Sequence, residues 1–223
     1  GVHQGFEVYS YEGADNSDFR SAEETTTKAL ALLDSHKSES PLFLVIHYME
    51  AHMNLDPPTS VRGKFATVKD PKVNVPFVSK EAFQMTAKGG PIKEQLECIF
   101  NLYNEEVFYV DQALGQLVSG MKEREKWENT LFVLTSDHGE EFWDHGKFEH
   151  GHSLMGVLTH IPLIATGPGL RGFGKSSILV EHVDLYRTLL EVAGVEKEGR
   201  GRDLFLLSQM EKTMKEKGQM LER

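Results

Sequence analysis

The sequence predicts an α/β domain, a sheet of buried strands covered by helices on both faces. Three apolar runs, Leu42–Ile46, Thr130–Thr135 and Ile161–Thr166, are bounded by polar residues and show no in-and-out alternation. That is the pattern of strands buried on both sides. Stretches with helical periodicity lie between and beside them, so strands and helices alternate along the chain. In such sheets chemistry gathers beyond the carboxyl ends of the strands.

Taken in order, the first helix is predicted over 22–36, where Ala29, Leu30, Leu32 and Leu33 follow a Ser21/Glu24 pair with capping-box spacing. Pro41 introduces the first strand, Leu42–Ile46, which ends in His47-Tyr48-Met49-Glu50-Ala51-His52. From Met53 to Pro91 the periodicity stops, and Pro57, Pro58, Pro71, Pro76 and Pro91 punctuate a long excursion of the kind that usually serves function. A long helix is predicted over 94–123, with Leu96, Ile99, Tyr103, Val107, Val110, Leu114, Leu117 and Met121 as its apolar stripe. A short polar connection, Trp127-Glu128-Asn129, leads to the second strand. The third strand precedes the turn Gly167-Pro168-Gly169, and a last amphipathic helix over 183–193 stops at Gly194. After Leu207 the composition turns to Lys, Glu and Met, which predicts one domain over 1–207 and a solvated or frayed helical tail over 208–223.

Composition removes several classes. With 24 Lys+Arg against 34 Asp+Glu the formal charge is −10, and no cluster of basic residues offers a nucleic-acid footprint. No apolar run approaches the ~18–20 residues of a membrane span. The single cysteine, Cys98, excludes an intrachain disulfide framework and a cysteine-rich zinc site; its place on the long helix reads as a core thiol. Gly1 stands where an initiator Met is expected, so the sequence reads as a processed product or a fragment.

Five of the ten histidines fall between His138 and His160. The stretch opens with Ser136-Asp137-His138-Gly139-Glu140-Glu141 directly after the second strand, and continues through Asp144-His145-Gly146 to His150-Gly151-His152-Ser153. Asp137 and His138 leave the sheet at its functional edge, where a carboxylate and an imidazole reach one cation and Gly139 relieves the turning backbone. Oxygen ligands suit calcium or magnesium, and the imidazole admits zinc or manganese. The plainer alternative is a polar loop of exposed histidines. His52 follows the first strand and looks toward the same cleft, whereas His47 stays within the sheet and Glu50 ligates or hydrogen-bonds. Gly151-His152-Ser153-Leu154-Met155 lacks the second Gly of a nucleophile elbow and does not follow a strand. No Walker or Rossmann phosphate loop is present.

In these motifs the chain resembles the sulfatase branch of the alkaline-phosphatase superfamily. The resemblance is carried by Gly5-Phe6-Glu7-Val8-Tyr9, by Pro41-Leu42-Phe43-Leu44 through His52 to Asp56-Pro57-Pro58, and by Tyr103 to Gly115. It continues through Ser136 to Glu140, His150 to Leu154, Ile161-Pro162-Leu163 and His182 to Leu190. It implies an alkaline-phosphatase-like sheet, mostly parallel, of which this chain holds part. By the same resemblance Asp137 and His138 are metal ligands, with calcium foremost and manganese or zinc as alternatives. His52 contacts the sulfate or the leaving-group oxygen, and His150, with His152 close by, stabilises the transferred group or protonates the leaving group. The expected reaction is metal-assisted hydrolysis of a small-molecule or glycan sulfate ester through a covalent intermediate, in an exported (periplasmic or extracellular) or lysosomal enzyme.

Two departures qualify the pattern. Glu50-Ala51-His52 stands for the usual Asp-Pro-His, with Met53-Asn54 where a Pro commonly follows. No Cys/Ser-x-Pro-x-Arg nucleophile segment, preceded by paired aspartates, occurs in these residues. The isolated chain is therefore expected to be inactive. Alternatives on the same fold are a phosphodiesterase, a phosphonate hydrolase or a phosphoethanolamine-type transferase, with a Thr nucleophile favouring phosphoryl transfer and Cys or Ser favouring sulfate esters; a further alternative is a degenerate domain that binds without turnover.

Overall fold

The computed structural model describes residues 3–11, 19–66, 73–170, 174–196 and 200–216; Pro71 and the end of the tail, 217–223, lie outside the described residues. In chain order the elements are α1 (Ala22–Ser35), α2 (Ser79–Thr86), α3 (Lys93–Glu123), a short 3-10 turn (Trp127–Asn129), β1 (Phe132–Thr135), β2 (Glu141–Phe142), β3 (Phe148–Glu149), α4 (Gly156–Thr159), β4 (Leu163–Thr166), α5 (His182–Val192) and α6 (Leu204–Glu216). They divide into two compact units, one of residues 1–125 and 136–161, the other of 126–135 and 162–223. Among the described residues no helix is long and apolar enough to cross a membrane.

In the first unit α1 begins as predicted. Ser21 accepts from the Glu24 N–H, and the Glu24 carboxylate accepts from the Ser21 N–H at 3.0 Å, which satisfies donors that a helix start leaves open. Helix α1 packs on α3 closely enough that a Cβ on Gly120 would stand 2.7 Å from a Leu30 methyl. Arg124 closes the far end with a two-pronged pair to Asp34, both bonds 2.7 Å. On its other side α3 contributes Ile99 and Leu102 to a core with Leu55, Phe77, Ala82, Phe142 and Phe148. Side chains of this size each stabilise by roughly 1.5–3 kcal/mol when fully buried, so this cluster fixes the β2–β3 hairpin onto α3. The excursion is thereby ordered where described: Leu55 and Phe77 exchange two backbone hydrogen bonds of 2.9 Å, and α2 follows.

The second unit pairs β1 with β4 in antiparallel register, Phe132 opposite Thr166 and Thr135 opposite Leu163. Asp184, buried on α5, accepts from the Arg202 guanidinium and backbone, while Thr188 accepts from the Leu204 N–H at 2.9 Å. These contacts tie the start of α6 to α5.

Four expectations need correction. The described ladders are antiparallel, not mostly parallel: β1 with β4 and β2 with β3. Leu42–Ile46 belongs to no ladder, and Phe43 and Val45 are 61% and 59% exposed. Strand propensity becomes a strand only beside a hydrogen-bonding neighbour, and none of the described segments takes that place. On α3 the buried face runs through Leu102, Glu105, Glu106, Tyr109 and Ala113, whereas Val107 is exposed and Cys98 only partly buried, so Cys98 is not a full core thiol. Finally, α6 runs unbroken through 207, and Glu211 inside the supposed solvated tail is buried.

Candidate active site

Asp137 and His138 follow the carboxyl end of β1, separated from it only by Ser136. The turn is held by Gly139, whose N–H donates to Leu158 at 2.8 Å. Its lack of a side chain is needed for close approach and not for a special turn: a Cβ there would lie 2.0 Å from the Val157 carbonyl oxygen. The neighbouring hairpin β2–β3 then returns the chain to His150 and His152.

The imidazoles of His52, His138 and His150 meet. His138 and His150 stack with centroids 3.7 Å apart, and His52 meets His150 edge-on at 5.3 Å. Each of the three has its Nδ1 against an acceptor: Met53 O at 2.7 Å for His52, Gly139 O at 2.8 Å for His138, and the Glu140 carboxylate at 3.2 Å for His150. A carbonyl or carboxylate oxygen only accepts, so Nδ1 carries the proton and Nε2 is the nitrogen left for a ligand or substrate. His152 has the opposite arrangement. Its Nε2 donates to Glu141 at 2.9 Å, so it is engaged with the hairpin.

Asp137 is mostly exposed, and its Oδ2 lies 3.6 Å from His138 Nε2, while its Oδ1 accepts from the His138 N–H at 3.0 Å. With the His138 proton on Nδ1, no hydrogen stands between Oδ2 and Nε2, and two lone pairs converge. Donors on one cation, each bonded at about 2.0–2.6 Å, stand roughly 3–4 Å apart, so the pair fits two ligands of a divalent metal. Among the described residues no group of three or more His, Cys, Asp or Glu side chains assembles as a metal site.

Three carboxylates that the sequence reading left without a role support this arrangement. Glu140 meets His150 through its carboxylate; burial raises its carboxyl above the usual range, and the attraction of His150, His138 and His52 offsets this only in part. Glu141, 1% exposed, also accepts from the His145 and Lys147 N–H groups, at 3.0 and 3.1 Å. Burial raises its carboxyl, but the bonds from His152, Lys147 and His145 outweigh that and hold it below the ordinary range. Glu106 is pushed up to about 7, first by burial, although the Asp56 and Ala51 N–H groups pull the other way. Of the residues weighed beside the site, His47 is exposed, and Glu50 hydrogen-bonds the Ala22 N–H at the start of α1.

A family model described as Sulfatase matches residues 3–195. Arylsulfatase K of Canis lupus familiaris is 32% identical over 102 residues, which is 46% of this chain and 19% of that protein. Among solved structures, the phosphonate monoester hydrolase of Agrobacterium radiobacter superposes with a TM-score of 0.67 at 20% identity, over 97% of this chain and 47% of that one. A protein solved with its substrate D-glucosamine-2-N,6-O-disulfate superposes with a TM-score of 0.63 at 18% identity, over 84% of this chain and 51% of that one. The chain thus spans about half the length of these structural neighbours, and its match reaches about a fifth of the arylsulfatase K relative. Since the family match runs through the excursion, the long helix and the histidine-rich turn alike, the chain belongs to the sulfatase family.

Proposed function

We propose that the protein is a metal-dependent hydrolase of sulfate esters whose sulfuryl group is received between the Asp137–His138 pair and the imidazoles of His52 and His150. The observation that carries this reading is the convergence of Asp137 Oδ2 and His138 Nε2 beside two further imidazoles whose Nε2 atoms are uncommitted. A divalent cation held by Asp137 and His138, calcium foremost with manganese or zinc as alternatives, would supply Lewis acidity toward the non-bridging oxygens. His150 keeps its Nδ1 proton on the Glu140 carboxylate, which would stabilise the imidazolium formed when Nε2 takes up a second proton, and that Nε2 proton is the one given to the departing ester oxygen. His52 offers its Nε2 to a sulfuryl or leaving-group oxygen. His152 acts beside them by securing the hairpin through Glu141.

For the substrate we favour a sulfated glycan over a simple aryl ester, with support from the structural neighbour bound to a glucosamine disulfate. An exported or lysosomal setting is proposed on the family resemblance. The test is steady-state hydrolysis of an aryl sulfate and an aryl phosphate by the native-length protein with calcium, manganese or zinc, beside Asp137→Ala. Cleavage of the sulfate ester that is lost in the variant supports the reading. Preferential cleavage of the phosphate ester would move it to phosphoryl transfer, and metal binding without turnover of either would move it to a binding domain.

A further inference from the structure

We propose that Glu106 is a positioning residue for His52, its one carboxylate closing both ends of the Ala51–Asp56 loop onto α3 and so fixing where the His52 imidazole stands against His150. Glu106 is 4% exposed, and its two oxygens serve two different backbone groups. Oε2 accepts from the Ala51 N–H at 3.0 Å and Oε1 from the Asp56 N–H at 2.7 Å. These donors bracket His52.

The loop needs such a hold. Ala51 has φ +72°, a left-handed conformation that is unfavourable for a residue with a Cβ. His52 itself is tethered only locally, through its N–H to Met49 O at 3.2 Å and its Nδ1 to Met53 O at 2.7 Å. On the other side of Ala51, Glu50 hydrogen-bonds the Ala22 N–H at the start of α1. The stem of His52 is therefore held to α1 through the Glu50 side chain and to α3 through Glu106; of the two carboxylates Glu106 also grips the far end of the loop, beside the Leu55–Phe77 pairing and the Arg62–Asp56 ion pair.

A packing role alone does not account for a carboxylate at this place. Burial raises the Glu106 carboxyl to about 7, with Glu50 and Asp56 adding repulsion, so placing an ionisable group here is costly. An apolar side chain of the same size commonly serves packing as well or better than a buried charge. It could not accept two N–H groups. A metal-ligand role is equally unsupported, because both oxygens are already engaged by backbone donors.

The clamp bears on catalysis through the reading of His52 given above, but it is measurable without substrate. The experiment is amide exchange and imidazole NMR on the whole chain, comparing wild type with Glu106→Gln and Glu106→Met, and thermal unfolding as the control for general packing. In the wild type the Ala51 and Asp56 amides should exchange more slowly than that of Asn54. In Glu106→Gln, whose NH₂ must face one of the two donors, protection at one end should fall about ten- to a hundred-fold, the scale of one charge-assisted hydrogen bond. His52 should lose the ring-current shift imposed by His150, while the Asp137 and His138 resonances stay in place. Glu106→Met should move His52 in the same way even where its Tm equals that of the wild type.

Unprotected Ala51 and Asp56 amides in the wild type would overturn the clamp by themselves, whether or not either variant folds. Unmoved His52 resonances in the variants would overturn it too, as would equal shifts at every histidine together with a lower Tm. A native-length enzyme in which His52 is displaced but turnover is unchanged would instead refute the catalytic role of His52 and leave the clamp standing.

Discussion

Glu141 accepts a hydrogen bond from Nε2 of His152 at 2.9 Å, joining the two ends of the hairpin that separates the Asp137–His138 turn from His150. The same buried carboxylate collects the His145 and Lys147 N–H groups, so one side chain closes the turn between β2 and β3. Glu141→Ala should therefore destabilise the fold by about 2–4 kcal/mol, since it strands three donors of which the backbone pair can partly turn to water. Urea unfolding measures it. Because the Glu141 carboxyl lies below the ordinary glutamate range, its contribution is present above that range and lost as the pH falls through it. The gap between wild type and variant should accordingly shrink in acid.

Glu106 gives the opposite sign. Its carboxyl is raised to about 7 from an ordinary value of 4.5, so the folded chain holds a proton there that the unfolded chain has released. The contribution is fully present below the ordinary value and is lost as the pH rises through about 7. At about 1.4 kcal/mol per pKa unit it amounts to roughly 3 kcal/mol. Between about pH 5 and pH 8 the wild type should lose roughly that much more stability than Glu106→Gln. Parallel pH curves for the two proteins would contradict the assignment.

Gly139→Ala should be among the more damaging substitutions near the site. The added Cβ would collide with the Val157 carbonyl oxygen at 2.0 Å, and backbone must move to admit it. A cost of about 1–3 kcal/mol is the usual scale for overpacking. The displaced turn should weaken divalent-metal binding as well, measurable by calorimetric titration of the folded variant.

His150 and His145 share one loop and should separate kinetically. His150→Ala in the native-length enzyme should lower kcat by about 10²–10⁴-fold, the range for a lost general acid, while metal affinity stays nearly constant. His145 is exposed and has no ring contact with the imidazole cluster; its Nδ1 lies 3.9 Å from Glu141. His145→Ala should change kcat less than about threefold, a barrier change below about 1 kcal/mol. Equal losses in both variants would show that the loop acts as a single structural unit.

Helices α1, α3 and α5 were legible because their signals are local, whereas α2 and α4, of eight and four residues, are too short to show a period and were missed. Ser21 and Glu24 cap α1 as their spacing implies, and α3 fills its predicted length. The sheet was less so. Leu42–Ile46 has the composition of a buried strand, yet pairing depends on a neighbour that no local pattern reveals. The β2–β3 hairpin escaped for a different reason, since two paired residues on each side are too few to show a period. At the site, the run of histidines beyond β1 drew attention to His138 and His150, while His52 was suggested by its place after Leu42–Ile46 and by the family resemblance; the three rings do meet. The supporting carboxylates did not announce themselves. A signal for Glu105 and Glu106 did exist, because they fall at helical spacing between Leu102 and Tyr109 on one face of α3, where two charges among apolar residues mark a buried polar task.

The most direct test of the central claim is an imidazole ¹⁵N titration of the chain with calcium, manganese or zinc, using the diamagnetic ions for line positions. Binding at the Asp137–His138 pair should shift His138 Nε2 and leave His138 Nδ1 protonated toward the Gly139 carbonyl, with the shift abolished in Asp137→Ala. A chain in which no ion moves His138, or in which the shift survives removal of Asp137, would contradict a metal site at this turn.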